Sequence, residues 1–139
     1  MKHSLLFELL FMANVVVIAI IGSLHTKAYF NSAPKFATPQ DLKRYREYVS
    51  LQMWLSIAYI ISFFPGLLCG IYYASTAGGL MAYAPIILYF IPIWVGRSTR
   101  TMEKQLRSAS ISDPQLQAEY DNISYVWKKR MFPKFNPPG

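Results

Sequence analysis

Apolar and polar positions alternate along the chain in long blocks. Three apolar runs cover residues 5–24, 49–73 and 80–95, and residues 49–95 contain no Asp, Glu, Lys, Arg or His. About twenty helical residues at about 1.5 Å each span roughly 30 Å, the thickness of a bilayer's hydrocarbon core. The pattern therefore predicts an all-α integral membrane protein with three transmembrane helices. The first run exceeds the usual apolar length of a signal peptide, about 7–15 residues, so we interpret it as a retained span.

Proline and small residues modify the second and third spans. Pro65 lies inside the second span and predicts a kink, because proline removes a backbone hydrogen bond. Pro85 and Pro92 are expected to bend the third helix toward one side. The small-residue spacing of the second span predicts that another helix approaches it closely at Gly66, Gly70 and Ala74.

The polar loop of residues 25–48 contains a helix-start signal. Thr38 can cap a helix, Pro39 suits its first position, and Asp41 favours the positive end of the helix dipole. We expect one interfacial helix that continues from Pro39 into the second span. Aromatic side chains of this helix are expected along the headgroup boundary, namely Tyr45, Tyr48 and Trp54.

A second polar segment, the tail of residues 97–139, follows the membrane region of residues 1–96. The run Ser112–Gln115 resembles a capping box and predicts a new helix. That helix is amphipathic, with apolar positions at Leu116, Tyr120, Ile123 and Trp127. Its acidic residues Asp113, Glu119 and Asp121 are expected on a solvated face. Loop and tail are each too short to bury a substantial core alone.

Charge sets the orientation of the spans. The chain carries a net charge of +7 and only 15% charged residues, against about a quarter in soluble domains. One Lys or Arg lies before the first span, five lie in the loop and eight in the tail. The positive-inside rule therefore predicts that the N-terminus is outside and that loop and tail are cytoplasmic.

The basic residues of the tail suggest a docking surface. Anionic headgroups attract juxtamembrane Lys and Arg by about 1 kcal/mol each, and an acidic partner protein is the alternative. Nucleic-acid binding would need a denser basic patch and a reading module. The predicted docking residues are Arg97, Arg100, Lys104, Arg107, Trp127, Lys128, Lys129 and Arg130.

Few polar residues lie within the spans. Glu8 lies about one turn inside the outer boundary, so we interpret it as an interfacial or structural carboxylate that a slight tilt exposes to water. Proton or quinone chemistry at Glu8 is the alternative. Asn14 is expected to donate an interhelical hydrogen bond, worth about 1 kcal/mol. A polar stripe on the second span either holds the helices together, which we favour, or lines a water path; it comprises Gln52, Ser56, Tyr59 and Ser62.

No catalytic motif is present, and the sequence indicates a non-enzyme. GxSxG, HExxH, P-loop and GxGxxG patterns are absent, and the single cysteine, Cys69, permits no intramolecular disulfide. His3 and His25 lie at opposite ends of the first span, about 33 Å apart along a helix, and are interpreted as interfacial rather than as ligands of a haem or pigment. No cofactor is identified.

Two functional hypotheses follow. The first is a small non-catalytic accessory or assembly subunit of a larger membrane protein complex, energy-transducing complexes included. The alternative is a self-associating channel or transporter component that uses the polar stripe. Membrane lipids and other membrane subunits are the expected partners. The N-terminus lacks an Arg-rich presequence, which favours the bacterial cytoplasmic membrane over an organellar inner membrane.

Overall fold

The chain is helical. The computed structural model describes residues 2–135, except for the side chains at positions 2, 85 and 88, so residues 136–139 of the predicted tail lie outside the described range. The fold is 82% helix, and the described residues contain no strand. The helices are α1 (Lys2–Asn31), α2 (Pro39–Ala77), α3 (Ala84–Ile87), α4 (Ile91–Arg97), α5 (Arg100–Arg107) and α6 (Pro114–Lys129). Two 3₁₀ turns, Leu80–Tyr83 and Leu88–Phe90, flank α3.

Two helices are long and apolar enough to cross a membrane. The most apolar windows of α1 and α2 have mean hydropathies of 2.5 and 1.8. The first and second predicted spans therefore lie inside long helices, as expected. The prediction of one uninterrupted helix from Pro39 into the second span is also confirmed, and α2 continues through Pro65.

The start of α2 is fixed by a reciprocal pair of hydrogen bonds. The Asp41 amide donates to Thr38 Oγ1 at 3.2 Å, and Asp41 Oδ2 accepts from the Thr38 amide at 3.0 Å. This arrangement satisfies backbone donors at the helix N-terminus that have no partner within the helix. The predicted capping role of Thr38 is confirmed.

The third predicted span is not a continuous helix, and that expectation was wrong. Residues Leu80–Arg97, called the broken segment below, consist of two 3₁₀ turns and the short helices α3 and α4. Pro85 is the second residue of α3, and Pro92 the second residue of α4. Proline has no N–H to donate and fits the first turn of a helix, where that donor has no partner. Each proline therefore begins a new helical piece instead of bending one helix.

The turn between α2 and the broken segment is made by two glycines. Gly78 and Gly79 have φ angles of 70° and 85°. These angles lie in the left-handed region, which glycine adopts without the steric cost of a Cβ atom. The turn is short, because α2 continues to Ala77.

Backbone contacts divide the chain into two compact units. Unit 1 contains the chain up to Leu24 and residues Ala58–Thr99. Unit 2 contains His25–Ile57 and the chain from Arg100 onward. The loop and the first half of α2 therefore fold together with the tail.

Unit 2 has a hydrophobic core of its own. It includes the first half of α2, α5 and α6, and its buried residues are Leu42, Tyr45, Tyr48, Val49, Met53, Leu106, Leu116, Tyr120, Ile123 and Val126. Three of the four predicted apolar positions of α6 are buried there, and Trp127 packs against the core from its edge. Tyr45 and Tyr48 were expected to face lipid headgroups but are almost fully buried in this core.

Shortening a core side chain of α6 is predicted to destabilise unit 2. Ile123 is fully buried, so Ile123→Ala should lower the free energy of unfolding by about 2–5 kcal/mol through lost burial and a residual cavity. The measurement is limited proteolysis of the full chain in mild detergent, with cleavage sites in the tail identified by mass spectrometry. Tyr125→Ala is the control, because Tyr125 lies on the same helix and is 54% exposed. Equal protection of both variants would contradict this prediction.

Candidate functional site

The side chain of Glu8 is completely enclosed in unit 1. Its exposed fraction is 0%, and neither carboxylate oxygen has a hydrogen-bond partner among the described residues. The sequence led us to expect a carboxylate that reaches water near the end of its span. The structure instead encloses it completely, without a hydrogen-bond partner among the described residues.

Tyr89 of the broken segment packs beside Glu8. Its hydroxyl donates to the backbone carbonyl of Glu8 at 2.8 Å, and Tyr89 is 1% exposed. A phenol has one proton to donate, so this bond leaves the Glu8 side chain without that donor. Tyr89 was missed in the sequence because it is one of ten tyrosines and lies far from Glu8 along the chain.

Two glycines of α2 make room for these side chains. A Cβ atom on Gly70 would lie 2.6 Å from Glu8 Oε1 and 3.3 Å from Ile86 Cγ1. A Cβ atom on Gly66 would collide with the Tyr89 hydroxyl and lie 2.7 Å from the Phe11 Cβ atom. The close approach predicted from the small-residue spacing is therefore present at Gly66 and Gly70. We call Glu8, Gly70, Ile86 and Tyr89 the carboxylate pocket.

Asn14 and Ser62 join α1 to α2 within unit 1. Asn14 Nδ2 donates to Ser62 Oγ at 2.6 Å. The interhelical hydrogen bond expected of Asn14 is therefore present, and its acceptor belongs to the polar stripe. In an apolar surrounding such a bond holds two helices in register.

The remaining residues of the polar stripe also have partners in the chain. Gln52 Nε2 lies 3.1 Å from His25 Nδ1, and the Ser56 hydroxyl donates to the Gln52 carbonyl at 2.9 Å. Tyr59 stacks on Phe63 with ring centroids 5.6 Å apart. The four residues of the stripe do not lie in one structural unit. Gln52 and Ser56 belong to unit 2, whereas Tyr59 and Ser62 belong to unit 1.

His25 lies within an aromatic stack of unit 2. Its ring centroid is 5.1 Å from that of Tyr48, and Tyr48 in turn stacks on Tyr29 at 4.3 Å. The Tyr48 hydroxyl also shares a hydrogen bond of 2.8 Å with Thr26 Oγ1. These contacts indicate that His25 contributes to the packing of unit 2.

Polar contacts join α2 to α6 in unit 2. Arg46 and Glu119 form an ion pair of 2.7 Å, each about a quarter exposed. The Tyr45 and Ser124 hydroxyls share a hydrogen bond of 2.9 Å, and the Tyr45 ring stacks on Tyr120 at 5.1 Å. Glu119 was expected on a solvated face, but its pairing with Arg46 places it at the interface between two helices. The sequence contained no local signal for this pair.

Some of the predicted docking residues line an open groove in unit 2. The groove lies between α5 and α6 and has a volume of about 610 Å³. Lys104, Arg107 and Lys128 contribute positive charge to it, and Asp121 contributes a negative charge. The Arg107 guanidinium also lies 5.1 Å from the centroid of the Trp127 ring, a cation–π contact. We call this the basic groove.

The other predicted docking residues are not part of the groove lining. Arg97 ends α4 and Arg100 begins α5, so they do not belong to one continuous helical stripe. Lys129 and Arg130 are exposed at the end of α6. The structure thus brings together three of the seven basic residues that the sequence singled out.

Glu103 lies on α5 within one turn of two of these arginines. Burial raises the pKa of its carboxyl above the ordinary value of 4.5, and the charges of Arg107 and Arg100 oppose this shift in part.

Metal-ligating residues do not cluster in the described part of the chain. Among residues 2–135, no three His, Cys, Asp or Glu side chains are grouped so that they could hold a metal ion. Cys69 is half-buried and has a free thiol. The candidate sites are therefore the carboxylate pocket of unit 1 and the basic groove of unit 2.

Comparisons with protein families, with curated proteins and with solved structures find no match to this chain.

The glycines of α2 lead to a prediction about unit 1. Gly66→Ala should destabilise the packing of α1 and the broken segment on α2, because its Cβ atom would collide with Phe11 and Tyr89. Gly96→Ala is the matched control, since a Cβ atom there meets nothing within 4 Å. The melting temperature of the purified protein in mild detergent is the measurement. We expect a decrease of several degrees for Gly66→Ala relative to Gly96→Ala, and equal melting temperatures would show that the close approach is absent.

Proposed function

We propose that this chain is a small, non-catalytic accessory or assembly subunit of a larger membrane protein complex. The observation that supports this most is the outer surface of unit 1. Large apolar side chains there are highly exposed, for example Leu80 at 89%, Met81 at 87% and Trp94 at 73%. Soluble monomers rarely expose contiguous apolar patches of more than a few hundred Å², so lipid or protein must cover this surface.

The two long helices do not resemble the core helices of a soluble protein. Only 11% of the most apolar window of α1 and 17% of that of α2 is buried within the chain. A helix that is apolar on all sides is stable in a bilayer or inside a larger protein. We therefore infer that α1 and α2 cross a membrane.

The contacts of unit 2 support a third crossing. Arg46 precedes the apolar part of α2 and Glu119 lies in α6, yet they form an ion pair and must be on one side of the membrane. If α2 leaves that side and ends at Ala77, the chain has to return before α5 begins. The broken segment is the available return path, and at about 1.5–2 Å per residue it is long enough to cover roughly 30 Å.

Irregular backbone can lie at membrane depth where protein contacts surround it. The broken segment has such contacts in unit 1, because Tyr89 is buried and donates a hydrogen bond to α1. We therefore propose three crossings, of which the third is a helix interrupted by prolines. The distribution of Lys and Arg then favours an outside N-terminus and a cytoplasmic unit 2, in a membrane that we propose to be the bacterial cytoplasmic membrane.

The polar stripe favours the subunit proposal over the channel alternative. A water path would require polar groups directed at a common lumen. Ser62 instead accepts a hydrogen bond from Asn14, Gln52 contacts His25, and the Ser56 hydroxyl bonds to its own helix backbone. These polar groups form their contacts within the chain. The apolar surface is therefore the main feature that the chain presents to partners.

Unit 2 supplies a second contact surface in this proposal. The basic groove presents Lys104, Arg107 and Lys128, and α5 follows the proposed third crossing directly in the sequence. Anionic lipid headgroups attract such residues by about 1 kcal/mol each. We propose that headgroups occupy the groove and hold unit 2 at the cytoplasmic surface, where partner subunits dock.

The proposed topology is tested by labelling single cysteines from one side of the membrane. In a Cys69→Ser background, Lys35→Cys, Ser75→Cys and Ser110→Cys each place a thiol at an exposed position. A membrane-impermeant maleimide added to intact cells should label position 75 alone, and positions 35 and 110 should react only after the membrane is opened. Labelling of positions 35 and 110 from opposite sides would contradict the proposed third crossing.

The subunit proposal is tested by photocrosslinking in native membranes. A photoreactive phenylalanine analogue replaces Trp94, which is 73% exposed, and in a control replaces Ala82, which is 8% exposed. We expect a discrete crosslink from position 94 to a protein of different sequence and little or none from position 82. A crosslink only to lipid, or only to a second copy of the chain, would overturn the proposal, and the second result would favour the channel alternative.

A further inference from the structure

Among the side chains that the structure describes, none next to the Glu8 carboxylate supplies a compensating positive charge. On α1, His3 is exposed on the preceding turn. On α2, Gly70 lies against the carboxylate, and the Cys69 thiol is a titratable group near Tyr89. On the broken segment, Ile86 is apolar and Tyr89 has committed its proton to the backbone of α1. Among residues 2–135 the structure shows one ion pair, Arg46–Glu119, and this pair belongs to unit 2.

An ionised carboxylate in this position would be very unfavourable. Removing an isolated charge from water into an apolar surrounding costs so much free energy that the group takes up a proton instead. The same holds inside a bilayer, where ionisable side chains pair, reach water or are functional. Glu8 is completely buried and neither oxygen has a partner, so no described group pairs with the carboxylate and bulk solvent does not reach it.

We propose that Glu8 is an intramembrane protonation site, whose ligand is a single proton and whose side chain is a neutral carboxylic acid at neutral pH. A metal cation does not fit this pocket, because Ca²⁺ or Mg²⁺ requires six or more oxygen ligands and the neighbours Gly70 and Ile86 supply none from their side chains. The inference rests on the membrane placement proposed above but not on assembly with partner subunits.

The pocket also ties the protonation state to the packing of unit 1. A Cβ atom at position 70 would already be too close to Glu8 Oε1, so the carboxyl fills the space against α2. Loss of the proton would leave a charge in that contact. The contact between Glu8 and Gly70 must then separate to admit water or a cation, which makes the pocket sensitive to alkaline pH.

The proposal is tested by infrared spectroscopy of the purified full-length chain in lipid bilayers. The C=O stretch of a protonated carboxylic acid is separated from the bands of an ionised carboxylate. The spectrum of the wild type minus that of Glu8→Gln should show one protonated-acid band at neutral pH. Glutamine has the shape of the neutral acid, so this variant should fold. The control is Glu47→Gln, which removes an exposed carboxylate from α2 and should leave the band in place.

A hydrophobic carbodiimide provides a second readout by mass spectrometry. The carboxylic acid adds across one C=N bond of dicyclohexylcarbodiimide: its oxygen bonds to the central carbon and its proton passes to nitrogen. The acyl group then migrates to nitrogen and gives a stable N-acylurea that retains all atoms. We expect this adduct at Glu8 and not at Glu47. Once the pH exceeds the titration point of Glu8, the adduct yield should fall about tenfold per pH unit, as the protonated fraction does.

Two results would overturn the protonation site. One is the absence of a protonated-acid band in the wild type at neutral pH, whatever the carbodiimide result. The other is a band that persists unchanged in Glu8→Gln. Extraction of the chain from membranes by alkaline carbonate would instead show that the membrane placement is wrong. A missing crosslink at Trp94 would affect only the subunit proposal, so the failures are distinguishable.

Discussion

The contact between Tyr45 and α6 constrains the rest of the chain. The Tyr45 ring stacks on Tyr120 and its hydroxyl bonds to Ser124, so two parts of the sequence that are 79 residues apart meet in one core. The apolar half of α2 and the broken segment both lie between these residues in the sequence. Any membrane placement must therefore let the chain leave and return between them. The proposed third crossing depends on this contact between α2 and α6 more than on the hydropathy of the broken segment.

The sequence predicts the long helices well because their determinants are local. Apolar length predicts α1 and α2, the Thr38 signal predicts where α2 begins, and the spacing of Leu116, Tyr120 and Ile123 predicts the buried face of α6. Prediction from the sequence fails for the broken segment. Its apolar content indicates a span but does not show whether the helix is continuous. The positions of Pro85 and Pro92 at the starts of α3 and α4 show that proline here begins a helix rather than bending one.

The candidate sites are predictable only in part, because a residue's partner is a tertiary property. Glu8 and Asn14 stand out as polar residues in an apolar run, yet Tyr89 and the unpaired burial of the carboxylate depend on a contact across 81 residues. Unit 2 shows the same limit. The loop and the tail are each too short for a core, but together they enclose one, and the pair of Arg46 with Glu119 joins them.

The separation of Glu8 and Tyr89 also has a consequence for biogenesis. In the proposed membrane placement, a chain made from its N-terminus inserts α1 and α2 before the ribosome has released the broken segment. Until then Ile86 and Tyr89 are missing from one side of Glu8, and the carboxylate can keep its hydration. The broken segment, which is the proposed third crossing, would therefore complete the desolvation of Glu8 when it arrives. Uptake of a proton would accompany the final insertion step rather than the first.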